Sequence, residues 1–137
     1  MAILTTDTDI ASLLRRSRTI AVVGLSGAPH RDSHRVALYL QQQGYQIIPV
    51  NPTLREVLGQ RAFPDLESIG HAVDIVDIFR RPEYVPAIAA EAIRTAARAL
   101  WMQFDTVDPE SAESASGAGM DVVVDRCIMV EHRRLVA

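Results

Sequence analysis

The chain has 137 residues, of which 48% are hydrophobic and 23% are charged. That length fits one compact domain with its own core, and that composition is ordinary for a globular protein, so it supports neither disorder nor a fibrous class. The formal net charge of −3 at pH 7 argues against nucleic-acid binding, which usually requires an excess of basic residues. We therefore expect a single domain over residues 1–137 with no nucleic-acid partner.

The sequence also points to a compartment. No apolar run approaches the roughly 20 residues that cross a bilayer, and the first residues carry acids where a signal peptide carries bases. The one cysteine, Cys127, has no partner for an internal disulfide, which suits a reducing compartment. We expect a cytoplasmic protein with no membrane partner. All 14 basic residues are arginines, which suits bidentate contacts to anions but is equally explained by a coding bias.

The first elements alternate between helix and strand. Ile10, Leu13 and Leu14 have helical spacing between early acids and later arginines, which predicts an opening helix. The branched apolar run 19–23, ended by Gly24, predicts a strand buried on both faces. The chain therefore begins with a helix followed by a first strand.

A second helix and strand follow. Ser33 is placed to cap a helix that ends near Gly44. Residues 45–50 predict a second buried strand, which Asn51 and Pro52 end because proline has no N–H to donate. This part of the chain reads as strand, helix, strand.

The middle of the chain is less regular. Residues 54–58 predict a helical turn, and the loop 63–65 precedes another short helix. Residues 73–79 predict a third apolar strand that carries two aspartates. Pro82 then opens a long helix with one apolar face.

The last elements repeat the alternation. Residues 99–103 predict a fourth strand, and Asp108 starts a helix that runs toward Gly117. Residues 121–124 predict a fifth strand, and a final helix follows Cys127. Alternating strands and helices require parallel pairing with right-handed crossovers. We predict an α/β protein with a three-layer, doubly wound, Rossmann-like fold and a five-stranded parallel sheet, in order 3-2-1-4-5 with the flavodoxin-like order as the competitor.

Ligands of such sheets bind outside the carboxyl ends of the strands. After the first strand, the segment from Gly24 to Ser33 combines turn-forming glycine, free backbone N–H groups and a helix N-terminus, where an anion could bind. Arg31 and Arg35 could add positive charge. An ordinary turn explains a glycine after a strand equally well.

The nicotinamide fingerprint G-x-G-x-x-G is absent, since Ser26 and Pro29 follow Gly24 at the required spacings. The acid that normally closes the second strand and holds the ribose hydroxyls is replaced by Asn51. Both departures weaken an NAD interpretation. A cofactor with a 2′-phosphate, bound by arginine, remains open.

The third strand ends in an aromatic residue followed by two arginines. Phe79 offers a flat apolar face, and Arg80 and Arg81 offer guanidinium groups, which together suit an adenine ring beside a phosphate. The alternative is an aromatic ring packed on the next helix beside two solvated arginines. The position at a carboxyl strand end favours the ligand interpretation.

A series of residues and short motifs extends over nearly the whole chain. They are Gly24-Leu25-Ser26, Ser33, Arg35-Val36, Tyr39-Leu40, Gly44-Tyr45, Ile47-Ile48-Pro49-Val50-Asn51-Pro52, Gly59, Val73-Asp74-Ile75-Val76-Asp77, Phe79-Arg80, Leu100-Trp101, Gln103, Asp125-Arg126-Cys127 and Glu131. In this order and at compatible spacing, they resemble the family of small stand-alone CoA-binding proteins, which are Rossmann-like and similar to the CoA-binding domain of the succinyl-CoA synthetase alpha subunit.

The resemblance implies coenzyme A laid across the carboxyl edge. The segment from Gly24 to Ser26 would lie near the phosphates, and the strand ends at Asn51 and Phe79 would flank the nucleotide. One departure is Asp105, which stands where the family commonly has a glycine. The full set of predicted cofactor-binding residues is Gly24, Leu25, Ser26, Arg31, Ser33, Arg35, Val50, Asn51, Pro52, Phe79, Arg80, Arg81 and Gln103.

No catalytic constellation can be assembled from the sequence. Ser26 lacks the spacing of a G-x-S-x-G nucleophile elbow. His30 lies before the predicted helix that contains His34, so we expect no metal site, and Cys127 is expected to pack as a small apolar residue. The leading hypothesis is a non-catalytic protein that binds coenzyme A or an acyl-CoA as carrier, sensor or subunit. An NAD(P)-binding oxidoreductase or regulatory domain is the alternative, an interaction protein with an empty pocket is a third, and a homo-oligomer or a partner enzyme remains open.

Overall fold

The computed structural model describes residues 3–137. Its central feature is a five-stranded parallel sheet flanked by helices on both faces, so the predicted fold class is confirmed. The sheet strands are β1 (Thr19–Val23), β2 (Gln46–Val50), β5 (Ile75–Ile78), β6 (Ala99–Met102) and β7 (Asp121–Val124). A small hairpin contains β3 (Glu56–Val57) and β4 (Gln60–Arg61). The helices are α1 (Asp7–Arg16), α2 (Asp32–Gln42), α3 (Val85–Arg94), α4 (Pro109–Gly117) and α5 (Ile128–Leu135).

The spatial order of the sheet is β2-β1-β5-β6-β7, which is 2-1-3-4-5 when the five sheet strands are counted along the chain. The predicted order 3-2-1-4-5 is therefore wrong, and the flavodoxin-like order is the one observed. The outer edge of β2 is occupied by Phe63, whose N–H donates to Pro49 O over 2.9 Å and whose carbonyl accepts from the Asn51 N–H over 2.9 Å. The third sheet strand, β5, therefore pairs with the edge of β1 that faces away from β2.

The irregular segment after β2 is a hairpin rather than the predicted helical turn at 54–58. Leu58 and Gly59 have φ of 54° and 74°. Consecutive left-handed residues suit a two-residue turn between antiparallel strands, because such a turn matches the strand twist. Val57 is buried and anchors this hairpin in the core. The short helix expected before the third strand is a single 3₁₀ turn at Glu67–Ile69.

The core consists of two layers, one on each face of the sheet. Every residue of β5 and of β6 is buried, as expected for parallel strands covered on both sides. Trp101 is fully buried, and its indole N–H donates to the Arg126 carbonyl over 2.8 Å. This bond ties β6 to the loop that leads into α5. No helix among the described residues is long and apolar enough to span a membrane.

Candidate functional site

A cleft of about 670 Å³ lies at the carboxyl edge of the sheet, where β1, β2 and β5 end. A second cleft of about 450 Å³ adjoins it on the side of α2 and shares Gly24, Ser26, Arg31 and Phe79 with it. The larger cleft is lined by Gly24, Ser26, Gly27, Arg31, Val50, Asn51, Pro52, Thr53, Leu54, Phe79, Arg80, Arg81 and Tyr84. The strand order reverses between β1 and β5, so the cleft lies at the switch point where doubly wound sheets bind ligands.

Gly24 joins the three strand ends. Its N–H donates to the Val50 carbonyl over 2.9 Å, which continues the β1–β2 ladder by one residue. Its φ is +87°, and a Cβ at this position would lie 2.7 Å from the Phe79 carbonyl oxygen and 2.9 Å from Arg80 Cδ. Only glycine allows this turn and this approach of β1 to the end of β5. The floor of the cleft therefore depends on the missing side chain.

The loop after β1 is held by side-chain hydroxyls. The helix α2 begins at Asp32 after Arg31, so the prediction that Ser33 caps it is wrong. Ser33 instead accepts a hydrogen bond from the Ser26 N–H over 3.0 Å. Ser26 in turn accepts one from the Ala28 N–H over 3.0 Å. These two bonds hold the loop beside the start of α2, on the wall of the second cleft.

Asn51 connects the loop after β2 to the loop after β1. Its side-chain amide donates to the Leu25 carbonyl over 3.0 Å. Its side-chain oxygen accepts from the N–H and the hydroxyl of Thr53, over 2.9 Å and 2.8 Å. Both ends of the carboxamide are engaged within the protein. Asn51 therefore shapes the cleft and cannot replace the ribose-binding acid of nicotinamide-binding sheets.

Replacing Asn51 with alanine should loosen the cleft. The Leu25 carbonyl belongs to a buried residue and would lose its side-chain donor, so we expect a loss of roughly 1–3 kcal/mol in the free energy of unfolding. Urea unfolding measures this loss. Thr53→Val is the matched control, since it removes one hydroxyl from the same cluster but keeps the bond to Leu25. An equal loss in both variants would contradict the role assigned to Asn51.

Three arginines surround the cleft. Arg31, Arg80 and Arg81 line it, and none of them has a carboxylate within ion-pair distance among residues 3–137. The guanidinium carbon of Arg80 lies 4.1 Å from the centre of the Tyr84 ring, in a cation–π contact. The positive charge of the cleft is therefore not neutralised by the described part of the protein, and an anion is its natural complement.

Most of the predicted cofactor-binding residues come together, but three do not line either cleft. Leu25 is fully buried in the core. Arg35 turns outward, where it donates to the His30 carbonyl and pairs with Asp32. Gln103 is buried, and its side-chain oxygen accepts the Ile128 N–H over 3.0 Å at the start of α5. The binding role of these three residues stays a prediction.

Four residues line the larger cleft but are not among the cofactor-binding residues predicted from the sequence, namely Gly27, Thr53, Leu54 and Tyr84. Thr53 and Leu54 directly follow Asn51 and Pro52, so the rule about carboxyl strand ends could have included them. Tyr84 follows the third strand by more residues and faces the cleft only because Pro82–Tyr84 forms a 3₁₀ turn before α3. No local pattern indicates this orientation.

The other half of the carboxyl edge is used for structure. Asp105 has a φ of 63°, so the residue that replaces a common family glycine keeps the left-handed backbone, which aspartate tolerates better than most residues. Glu131 is buried between Arg126 and Arg134, at 2.7 Å and 2.9 Å. These two arginines hold the pKa of the Glu131 carboxyl below its usual value. The Asp125–Cys127 loop is thereby fixed against α5.

A buried acid lies in β5, two residues before the cleft residue Phe79. Asp77 in β5 is fully buried, and neither carboxylate oxygen has a hydrogen-bond partner in the described structure. Burial raises the pKa of Asp77 well above its ordinary value because the charged form would lose its hydration. The register places it between Val22 of β1 and Trp101 of β6. The sheet therefore carries an uncompensated polar group at its centre.

The fold and the cleft together define a doubly wound parallel α/β protein with a basic site at its carboxyl edge. The chain belongs to the CoA-binding domain family, whose model matches residues 18–133. It is 44% identical to the uncharacterized protein YneT of Bacillus subtilis over 124 residues, which is 90% of this chain and 92% of that protein. The family predicted from the sequence motifs is thereby confirmed.

Solved structures share this fold. A hypothetical protein from Pyrococcus horikoshii OT3 is 37% identical, with a TM-score of 0.94 over 100% of this chain and 98% of that one. A dinucleotide-forming acetyl-coenzyme A synthetase of Ca. Korarchaeum cryptofilum is 22% identical, with a TM-score of 0.69 over 80% of this chain and 27% of the synthetase. The second likeness shows a shared fold, found in part of a larger chain.

Proposed function

We propose that this protein binds coenzyme A or an acyl-CoA in the carboxyl-edge cleft and acts without catalysis, as a carrier, a sensor or a subunit of a larger assembly. The observation that carries the proposal is the cleft at the sheet switch point, with three arginines that no described carboxylate pairs. Membership of the CoA-binding domain family supports the choice of ligand.

The cleft chemistry suits a nucleotide with several phosphates. Coenzyme A carries a pyrophosphate and a 3′-phosphate beside an adenine ring. Arg31, Arg80 and Arg81 can each donate to phosphate oxygens in a planar, bidentate geometry. Phe79 and Tyr84 provide aromatic surface for the base. In this proposal the nucleotide end lies over β1, β2 and β5, with its phosphates near the loop after Gly24.

The lining also supports a role in binding rather than in chemistry. The larger cleft has no carboxylate, imidazole or thiol among its described lining residues. Its hydroxyl groups belong to Ser26, Thr53 and Tyr84. The adjoining cleft, which shares Ser26, contains His30 and Asp32, but the Ser26 hydroxyl is bonded to the Ala28 N–H and Asp32 pairs with Arg35, so no described base is paired with a cleft hydroxyl. A carrier, sensor or subunit needs no such group, whereas acyl transfer by this chain alone would need one.

The NAD(P) alternative is less well supported by the same site. A dinucleotide would need an acid, or a cation for a 2′-phosphate, at the end of β2. Asn51 occupies that position, and its carboxamide is bonded to Leu25 and Thr53. Nothing in the cleft therefore offers the ribose diol its usual partner.

A panel of ligands tests the proposal. Thermal unfolding would be followed with coenzyme A, acetyl-CoA, dephospho-CoA, NAD, NADP and ATP, each at the same concentration. A ligand that binds only the native state raises the free energy of unfolding by RT ln(1 + [L]/Kd), so at equal concentration the tighter ligand gives the larger rise. We expect the largest rise in Tm with coenzyme A or acetyl-CoA and a smaller one with dephospho-CoA. A larger rise with NAD or NADP would favour the oxidoreductase alternative, and no rise with any ligand would contradict a cofactor site.

Arg80→Ala should weaken coenzyme A binding by about tenfold, as expected when one charge-assisted hydrogen bond is lost. Arg80 lines the cleft and has no ion-pair partner to leave behind, so the fold should be little affected. Calorimetric titration with coenzyme A measures the change. Arg94→Ala is the control, since Arg94 is exposed on α3 and pairs with Glu67. Equal affinities for coenzyme A in the two variants would show that Arg80 does not contribute to binding.

A further inference from the structure

A third cleft lies at the opposite, amino edge of the sheet and has a volume of about 460 Å³. It is bordered by the C-terminal ends of α1, α2 and α5 and by the start of β2. Its lining consists of Leu14, Arg15, Ser17, Arg18, Gln43, Gly44, Tyr45, Gln46, His132 and Val136. These residues include two guanidinium groups, one imidazole and two carboxamides, but no carboxylate. The cleft is therefore rich in hydrogen-bond donors and positively charged.

His132 forms the inner wall of this cleft. The residue is 4% exposed, and its ring lies edge-on to Tyr39 and Tyr45, with ring centres 5.5 Å and 5.6 Å away. Its Nδ1 is hydrogen-bonded to the Tyr39 hydroxyl at 2.9 Å. No described residue bonds to Nε2, and Nε2 is not among the fully buried atoms that lack a partner. The structure thus leaves one polar atom of a fixed, largely buried ring open to the cleft.

Two arginines at the rim are free to bind an anion. The Arg18 side chain has no hydrogen bond or ion pair among the described residues. Its backbone N–H donates to Asp74, whose carboxylate pairs with Arg98. Arg15 has only a 3.2 Å bond to the Leu135 carbonyl. Neither forms an ion pair with a described carboxylate. Both guanidinium groups are therefore available to bind an anion, as are those of the arginines at the carboxyl edge.

Helix C-termini would ordinarily repel an anion, because their carbonyl groups point toward it. Here those carbonyls already have donors. Ser17 donates to the Leu13 carbonyl over 2.6 Å, and Tyr45 donates to the Leu14 carbonyl over 2.5 Å, so two buried carbonyl groups in the last turn of α1 have donors. Arg15 satisfies a carbonyl at the end of α5. At the end of α2, the backbone N–H groups of Gln43, Gly44 and Tyr45 donate to the last carbonyl groups of the helix. These bonds give the carbonyl groups at the helix ends donors within the protein, which lessens their repulsion of an anion.

We propose that this amino-edge cleft is a second binding site, for the phosphate or carboxylate group of a small molecule. Arg18 and Arg15 bind the oxyanion from the rim, and Nε2 of His132 donates to it from the inner wall when that nitrogen carries the proton. The site lies at the other end of the strands from the coenzyme A cleft and does not depend on that assignment. A small anionic metabolite could in this way be bound at the same time as the cofactor.

The test follows the His132 ring by NMR during pH titrations, with its signals assigned by the His132→Gln variant. The probes are inorganic phosphate and acetate, in separate series at an ionic strength held constant with sodium chloride. Burial lowers the pKa of His132 in the free protein. A bound anion favours the imidazolium form, so we expect the effective probe to raise this pKa by roughly one unit. The other groups around the ring are Tyr39, Tyr45, Arg15 and Arg133, whose guanidinium lies over Tyr39.

Two variants decide whether the effect is local. Arg18→Ala should weaken the action of the effective probe on His132 by about tenfold. Arg94→Ala removes an exposed arginine on α3 and should leave it unchanged. An effect of phosphate alone or of acetate alone would support the site and identify the preferred group. The proposal would be overturned if neither probe changed the pKa of His132, or if the pKa changed equally in the two variants. It would also be overturned if the chemical-shift changes were confined to Gly24 and Arg80.

Discussion

Asp77→Asn should strongly change the pH dependence of stability. Asp77 is fully buried without a hydrogen-bond partner, and burial raises its pKa well above the ordinary value of 3.8. The asparagine has nearly the same shape but cannot ionise. We expect the variant to gain stability relative to the wild-type protein as the pH rises from about 4 toward neutrality.

The sign follows from proton counts. Above pH 3.8 the unfolded chain releases the Asp77 proton, whereas the folded chain keeps it because its pKa is raised. The folded state then binds one more proton, and wild-type stability falls by about 1.4 kcal/mol for each pH unit until the pKa of the folded state is reached. The contribution is complete below the unfolded pKa and is lost at higher pH. The asparagine variant lacks this loss.

Urea unfolding of both proteins at a series of pH values measures the effect as the difference between their free energies of unfolding. All other groups titrate equally in the two proteins and cancel. Asp65→Asn is the control, since Asp65 is exposed and its hydrogen bonds to Ser68 lower its pKa. That substitution should give a dependence of the opposite sign. A pH-independent difference between wild type and Asp77→Asn would show that Asp77 is ionised, and therefore compensated, in the folded protein.

Gly24→Ala should destabilise the protein by about 2 to 4 kcal/mol, because left-handed strain adds to a steric clash. The new Cβ would lie 2.7 Å from the Phe79 carbonyl oxygen, and backbone atoms cannot yield as a flexible side chain can. Relief of this clash requires the ends of β1 and β5 to separate. The same movement would open the floor of the cleft, so coenzyme A affinity should fall together with stability.

Two glycine variants separate the causes. Gly44→Ala introduces a left-handed alanine at φ +98° with nothing within 4 Å of its Cβ, so it measures strain alone. Gly27→Ala lies in the cleft loop without a positive φ, and its Cβ would contact Leu54 at an ordinary 3.6 Å. We expect Gly27→Ala to be nearly neutral and Gly44→Ala to cost about 1–2 kcal/mol. If Gly24→Ala lost no more free energy of unfolding than Gly44→Ala, the close approach to the Phe79 carbonyl would contribute nothing to the cost of the substitution.

Local patterns in the sequence determined the elements of the sheet. The branched apolar runs at Thr19–Val23 and Asp121–Val124 form strands at those residues, because strands covered on both faces must be apolar at nearly every position. Gly24 and Pro52 indicated the ends of two strands, because glycine allows the left-handed turn that ends a strand and proline has no N–H to donate to a neighbouring strand. With parallel pairing, these ends had to meet at one edge. The location of the cleft was thus predictable from the sequence.

The order of the strands was decided only in three dimensions. Phe63 occupies the outer edge of β2 through two backbone hydrogen bonds, and nothing in the sequence near Phe63 indicates that pairing. The hairpin around Gly59 likewise depends on Val57 reaching the core. Backbone groups can pair with any partner that the fold brings near them. The spacing of apolar residues indicates which faces of a strand are buried, but it does not indicate which strands pair with it.

The individual roles of polar residues also depended on the tertiary structure. Ser33 accepts from the Ser26 N–H and Gln103 accepts from the Ile128 N–H, so both satisfy backbone donors rather than lining the larger cleft. Arg35 turns to Asp32 while Arg31, one helical turn earlier, faces the cleft. The sequence by itself determined the fold class, the family and the edge that carries the cleft. The tertiary structure decided which donors remain free there, because nearly all polar groups that the core buries find a partner within the protein, as Ser33 and Gln103 do and Asp77 does not.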